Sequence, residues 1–143
     1  MGDVAQGGVT TAEAARGDGS VSCADGRALV FREYGAPDGA PVLYFHGWPG
    51  SRLDFAANDA IAASAGVRVI AVDRPGMRGS DFQRSRRVLD WPADVASLAD
   101  ALGLDRFAVL GFSFGGPYAR ACGYVPGGAS HARDPCLDRR PAR

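Results

Sequence analysis

Short apolar runs alternate with amphipathic stretches through the middle of the chain, and this alternation predicts strands that alternate with helices. Three apolar runs have the length and the flanking turn residues of strands buried on both faces: 42–45, 67–72 and 107–110. Upstream, β-prone runs at 21–23 and 28–34 flank the turn dipeptide Asp25-Gly26, which predicts a hairpin.

The amphipathic stretches predict the helices. Residues 53–65 form the first, and the best-marked one begins at Asp90, which is placed to cap it. Its apolar positions share one helical face and are Trp91, Val95, Leu98 and Leu102. Gly103 ends this helix, and another starts at 117–122. Strands that alternate with helices indicate an α/β fold with a mostly parallel, doubly wound sheet.

Composition limits the class of protein. The 143 residues allow one domain, and 46% hydrophobic residues suffice for a core. Sixteen basic and sixteen acidic residues cancel, which disfavours a nucleic-acid partner. No run is long enough for a membrane span, and residues 1–19, predicted as a disordered tail, lack a signal peptide's apolar region. Three widely spaced cysteines without zinc-ligand spacing favour reduced thiols and no metal, so we expect a cytoplasmic protein.

The pentapeptide 111–115 matches the pattern G-x-S-x-G, with a predicted strand before it and a helix after it. In that context the pattern predicts a nucleophile elbow, a sharp turn that presents the Ser113 hydroxyl above the carboxyl end of the sheet. The flanking glycines avoid side-chain clashes, and the helix N-terminus favours developing negative charge. The alternative is a buried turn serine without catalytic function.

Two further motifs end their own strands: His-Gly-Trp-Pro-Gly at 46–50 and Asp-Arg-Pro-Gly-Met-Arg-Gly-Ser at 73–80. With the elbow, this set resembles the α/β-hydrolase fold family, specifically its single-domain serine esterase-like branch. The resemblance covers residues 20–121, which would form the N-terminal half of such a domain, incomplete at its C-terminal side.

The resemblance implies a role for each motif. Ser113 would be the nucleophile, and the backbone N–H groups of Trp48 and Phe114 would form the oxyanion hole. His46 and Gly47 would shape the supporting loop, and the loop that starts at Asp73 would line the entrance. The implied reaction is hydrolysis of a small-molecule ester or related acyl substrate through an acyl-enzyme, without a cofactor or metal.

The reaction subtype stays open, because this scaffold also hosts amide, thioester, lactone and carbon–carbon hydrolysis and perhydrolysis. A serine at the elbow disfavours the haloalkane dehalogenase and epoxide hydrolase branches, whose nucleophile is a carboxylate. A nucleotide-binding loop is disfavoured, because residues 111–116 lack the P-loop lysine and the G-x-G-x-x-G spacing.

Several residues admit a structural interpretation. His46 could be the catalytic base, but a structural histidine of the loop is favoured. Asp73 could be catalytic or bind a metal, but an aspartate that hydrogen-bonds its own loop is favoured. The side chains of Trp48 and Phe114 would either line a substrate pocket or join the core. A basic run is expected to be a solvated face: Arg84, Arg86 and Arg87.

The acid and histidine that the family places after its serine are not recognisable in this sequence. His131 is followed by Asp134 and Asp138, which reverses the family order, and no predicted strand holds them. Residues 122–143 are an irregular, Arg- and Pro-rich tail, as out-of-frame translation of a GC-rich gene would produce. We therefore predict a truncated or frameshifted hydrolase with an exposed sheet edge and low solubility. The alternative function is a non-catalytic remnant or interaction fragment.

Overall fold

The computed structural model describes residues 17–124, which form one five-stranded sheet with helices on both faces. The strands are β1 (Asp18–Ser22), β2 (Ala28–Gly35), β3 (Ala40–Phe45), β4 (Val67–Val72) and β5 (Ala108–Gly111). The α-helices are α1 (Asp59–Ser64), α2 (Trp91–Ala101) and α3 (Gly116–Cys122). Within residues 17–124, no helix is both long enough and apolar enough to cross a membrane.

The spatial order of the strands is β1-β2-β4-β3-β5. Strands β4, β3 and β5 run parallel, whereas β2 pairs antiparallel with both β1 and β4. The predicted hairpin is confirmed, and its turn contains Gly26 with a φ of +85°. The α/β class is therefore confirmed, with a sheet that is parallel in the part formed by the three apolar runs.

The segment 53–65 is not one helix, as predicted, but a 3₁₀ helix, Arg52–Asn58, followed by α1. The 3₁₀ helix is anchored to β2 at its start and just after its end: the Tyr34 hydroxyl donates to the Arg52 carbonyl, and the Asp59 carboxylate accepts the Gly35 N–H. A 3₁₀ helix rises about 2.0 Å per residue against 1.5 Å for an α-helix. A 3₁₀ helix thus covers more length with the same number of residues. We attribute its presence here to the distance between the two anchors on β2.

Helix α2 has the predicted face, with Trp91, Val95 and Leu98 buried, and it ends before Gly103, whose φ is +64°. The predicted cap is wrong in one respect. Asp90 occupies the N-cap position, but its carboxylate makes no capping bond to α2. It instead accepts the backbone N–H of Arg87 at 2.8 Å, because a short 3₁₀ turn, Val88–Asp90, precedes the helix.

The two sheet faces bury separate apolar clusters, as expected for a doubly wound sheet. Alternation along β3 sends Leu43 and Phe45 to the cluster under α2 and Tyr44 to the cluster under α1. β1 begins at Asp18, inside the segment predicted as a tail. Cys122, the first residue of the predicted irregular tail, belongs to α3. Residues 1–16 and 125–143 lie outside the described residues, and with them the rest of that tail, including His131, Asp134 and Asp138.

Candidate active site

The three motifs meet at the carboxyl edge of the sheet. The final residue of β3, Phe45, pairs in register with Val72 of β4 and with Gly111 of β5. The loops that follow these strands, 46–50, 73–80 and 111–116, therefore emerge side by side. Open α/β sheets bind their ligands at this edge, as the sequence analysis expected.

Ser113 stands at the turn between β5 and α3. Its φ is +50°, a left-handed conformation that a non-glycine residue seldom adopts, and the residue is exposed. Two glycines make the turn sterically feasible. A Cβ atom at Gly115 would overlap the Phe45 carbonyl oxygen, and one at Gly111 would overlap the Gly115 carbonyl oxygen. The predicted elbow geometry is therefore present.

The loop after β3 runs directly beside Ser113. A Cβ atom at Gly47 would lie 3.3 Å from the Ser113 Cβ, so the two backbones are adjacent. The next residue, Trp48, precedes a cis peptide bond to Pro49, and no residue of the described part accepts its N–H. The side chains of Trp48 and Phe114 are 66% and 62% exposed, which excludes the core alternative for both within the described part.

His46 is fully buried, and both of its ring nitrogens are engaged. Nε2 accepts the Arg74 N–H at 3.2 Å, so Nδ1 carries the proton and donates to the Gly47 carbonyl at 2.8 Å. Burial lowers the pKa of His46 and favours this neutral form. The ring ties the loop after β4 to the loop beside Ser113, which favours the structural interpretation over a catalytic base.

Asp73 is fully buried at the end of β4, and its carboxylate is surrounded by donors. It accepts the Arg52 N–H at 2.6 Å and the Gly79 N–H at 3.1 Å, and it forms an ion pair with Arg52 Nη1 at 2.5 Å. The bond to Gly79 closes its own loop, as the structural interpretation expects. These three donors leave the carboxylate little capacity for a metal ion.

Arg52 is a structural residue that the sequence analysis missed. Besides Asp73, it pairs with Asp18 of β1 at 2.7 Å, and these carboxylates raise the pKa of its guanidinium. The Arg52 side chain thus joins the first residue of β1 to the loop after β4. No spacing pattern marks it, because its two partners lie 34 and 21 residues away in the sequence.

The basic run is not the uniform solvated face that was expected. Arg84 and Arg87 are exposed, but Arg86 is partly buried. Its guanidinium carbon lies 4.8 Å from the centroid of the Tyr118 ring and 5.7 Å from that of Trp91. Attraction of a cation to aromatic faces explains why this one arginine folds inward.

An apolar groove of about 660 Å³ lies on the α1 face of the sheet, next to β5. Its lining comes from α1, the 3₁₀ helix before it and the strands, and includes Tyr44, Phe55, Ile61, Val69, Leu110 and Phe112. Phe112, directly before Ser113, is 64% exposed. Because Phe112 lines the groove and directly precedes Ser113, the groove borders the candidate site.

Comparison with known proteins agrees with the geometry. The family model described as alpha/beta hydrolase fold matches residues 40–123. The non-heme chloroperoxidase of Streptomyces lividans is 39% identical over 99 residues, 68% of this chain and 36% of that protein. A bifunctional esterase/perhydrolase from Acinetobacter calcoaceticus is 35% identical over 105 residues, again 68% of this chain and 36% of that protein.

Solved structures show the same fold. The crystal structure of epoxide hydrolase A from Mycobacterium thermoresistibile superimposes with a TM-score of 0.66 at 24% identity, over 75% of this chain and 34% of that one. This identity supports the fold alone. The chain spans about a third of the length of the curated relatives it matches. Motifs, geometry and comparisons together place the chain in the alpha/beta hydrolase fold family.

Proposed function

We propose that Ser113 is the nucleophile of an acyl hydrolase that acts on a small-molecule ester. The observation that carries this proposal is the position of Ser113, exposed at the end of β5 with a φ of +50° and adjacent to Gly47. A structural serine gains nothing from this strained, solvent-facing turn, whereas a nucleophile gains access to its substrate.

In the proposed reaction the Ser113 Oγ attacks the ester carbonyl and loses its proton to a general base. The backbone N–H groups of Trp48 and Phe114 donate to the oxyanion that forms. The tetrahedral intermediate then expels the alcohol, which takes up the proton, and leaves an acyl-enzyme. Water attacks the acyl carbon, and Ser113 is released with a carboxylic acid as product.

The general base is the part of this reaction that residues 17–124 do not provide. His46 is the only histidine among them, and both of its ring nitrogens are engaged. Asp73 is likewise held by Arg52. The same observation favours the second candidate function, a non-catalytic remnant that retains the elbow without a base.

An ester hydrolysis assay separates the two functions. With p-nitrophenyl acetate, the acyl hydrolase predicts turnover that falls at least about 10³-fold in Ser113→Ala, since loss of the nucleophile removes the acyl-enzyme route. Ser97→Ala is the matched control, because Ser97 is only partly buried on α2 and its hydroxyl donates to the Ala93 carbonyl of the same helix. Equal rates for the wild type and Ser113→Ala would refute the hydrolase and support the remnant.

A further inference from the structure

Two arginines near the candidate site differ from three other arginines that are buried or partly buried in residues 17–124. Arg27, Arg52 and Arg68 each pair with a carboxylate. No carboxylate of residues 17–124 forms an ion pair with Arg74 or Arg86, although Arg74 is only 6% exposed and Arg86 is partly buried. Two positive charges are thus partly dehydrated without a carboxylate at ion-pair distance, and burial of a charge without a close partner is energetically costly.

Several N–H groups around these arginines also lack an acceptor. Arg74 Nε, Arg86 Nε, Arg86 Nη2 and Trp91 Nε1 are buried without a hydrogen-bond partner among the described residues. Both guanidinium carbons lie within 5 Å of the Tyr118 ring centroid, at 4.6 and 4.8 Å. The ring face attracts the cations but does not accept the N–H groups in the guanidinium planes.

Gln83, on the same loop as Arg86, has a buried side-chain oxygen without a partner in residues 17–124. Rotation of its amide would present N–H donors in place of that oxygen, an exchange that leaves the shape of the side chain unchanged. Buried polar groups almost always have partners in folded proteins. The unpartnered guanidinium and indole N–H groups therefore mark a place for an acceptor, and a negatively charged one suits the two cations best.

The unpaired arginines connect directly to the loop beside Ser113. Arg74 Nη2 donates to the Gly47 carbonyl at 3.0 Å, and the Arg74 N–H donates to His46. Gly47 in turn adjoins Ser113. A ligand held by Arg74 would therefore lie next to the loop that receives the ester carbonyl.

We propose that Arg74 and Arg86 bind a carboxylate at the far end of the substrate, whose ester is cleaved at Ser113. The inference rests on the proposed function. A carboxylate has two oxygens that suit the guanidinium N–H pairs, and its single charge costs less to bury than that of a phosphate dianion. The substrate class is thus a small ester that carries a separate carboxylate group.

Entry of the carboxylate requires movement of the loop that carries Arg86. The donor atoms are covered, and Arg86 Nη1 is held by the Pro75 carbonyl at 3.1 Å. The neighbouring residues Arg84 and Ser85 are exposed. Lifting this loop would uncover the donors, and closure over a bound carboxylate would supply their missing partners.

Acetate is the simplest probe of this site. The chain has two tryptophans, so Trp48→Phe leaves Trp91, which lies against Arg86, as the only fluorescent indole. In this background we expect a saturable change of Trp91 fluorescence with sodium acetate at constant ionic strength, and none with acetamide. Arg86→Gln should weaken acetate binding about ten-fold, the effect of losing a charge-assisted hydrogen-bond pair. Arg84→Gln, an exposed arginine of the same loop, should leave it unchanged.

An absent acetate response, or equal affinity in Arg86→Gln, would overturn the proposal. If Arg86→Gln loses the wild-type circular dichroism, Arg86→Lys decides: weaker binding supports the site, and unchanged binding refutes it. Repeating the titration with the Ser113→Ala variant separates the two proposals. If acetate still binds but the wild type and Ser113→Ala hydrolyse the ester at equal rates, the hydrolase is refuted and the anion site is retained.

Discussion

The two edges of the sheet are built differently. β1 has the polar sequence Asp-Gly-Ser-Val-Ser, and its first residue forms ion pairs with Arg32 and Arg52. β5, at the other edge, has the sequence Ala-Val-Leu-Gly and leaves Leu110 49% exposed. No strand of residues 17–124 pairs with the outer side of β5.

The sequence of β1 protects its edge of the sheet against pairing with another chain, whereas the sequence of β5 does not. Charge and polarity along an edge strand discourage pairing with another chain, and β1 has both. β5 has the composition of an interior strand, and the apolar groove beside it adds exposed surface. The candidate nucleophile therefore lies at the end of the less protected strand, whereas the ion pairs of Arg52 with Asp18 and Asp73 lie toward the opposite edge.

The largest effect is expected from Arg52→Ala, which tests the protected side. The substitution leaves Asp73 buried without its cationic partner, so the free energy of unfolding should fall by about 3–5 kcal/mol. Urea denaturation monitored by circular dichroism measures it. Arg84→Ala, an exposed arginine, is the control and should change stability by less than about 0.5 kcal/mol. Equal effects of the two variants would show that the network does not stabilise the fold.

A smaller loss is expected where β5 ends. A Cβ atom at Gly115 would overlap the Phe45 carbonyl, whereas one at Gly116 meets nothing within 4 Å. Gly115→Ala should therefore cost about 1–3 kcal/mol of unfolding free energy. Gly116→Ala should be neutral or stabilising by about 0.5–1 kcal/mol, because alanine favours α3. Thermal unfolding of both variants tests the pair, and equal melting temperatures would contradict the tight packing at the elbow.

Leu110→Arg tests the less protected edge. A charge in the middle of β5 should oppose edge-to-edge association and weaken self-association about ten-fold, which corresponds to ~1.4 kcal/mol. Sedimentation velocity over a concentration series measures the change. Ser20→Arg, at an exposed position of β1, should leave self-association unaltered. If both substitutions act alike, the two edges do not differ in the way proposed.

The smallest effect concerns acid stability. Hydrogen bonds from Arg52 and Arg32 hold the pKa of Asp18 below its ordinary value of 3.8. Because the folded state lowers this pKa, the stabilisation is complete above pH 3.8 and is lost as the pH falls below it. Asp18 is partly exposed, so the contribution is at most about 1 kcal/mol. Asp18→Asn should have a flatter stability profile between pH 4 and pH 2 than the wild type, and identical profiles would contradict the role of this pair.

The sequence predicted most of the framework, because apolar periodicity reports directly on burial. The runs 42–45 and 67–72 became β3 and β4, and the face of Trp91, Val95 and Leu98 became the buried face of α2. The motif at 111–115 also predicted the sharp turn at Ser113 and the need for its flanking glycines.

Side-chain partnerships were not predictable in the same way. The Arg52–Asp73 pair depends on which elements meet in space, and nothing in a single sequence marks residues 21 apart as neighbours. Arg86 was expected on the surface because charged runs are usually solvated, and the aromatic rings that draw it inward come from other elements. The interruption of the 53–65 helix likewise follows from anchors on β2.

The central claim is that Ser113 is a nucleophile, and covalent labelling tests it most directly. The wild-type chain and Ser97→Ala would be treated with a fluorophosphonate, digested with trypsin and analysed by mass spectrometry. The tryptic peptide of residues 107–120 contains one serine, Ser113. We predict one adduct in each protein, located on that serine. An adduct on any other residue, or none in the folded chain, would contradict the account.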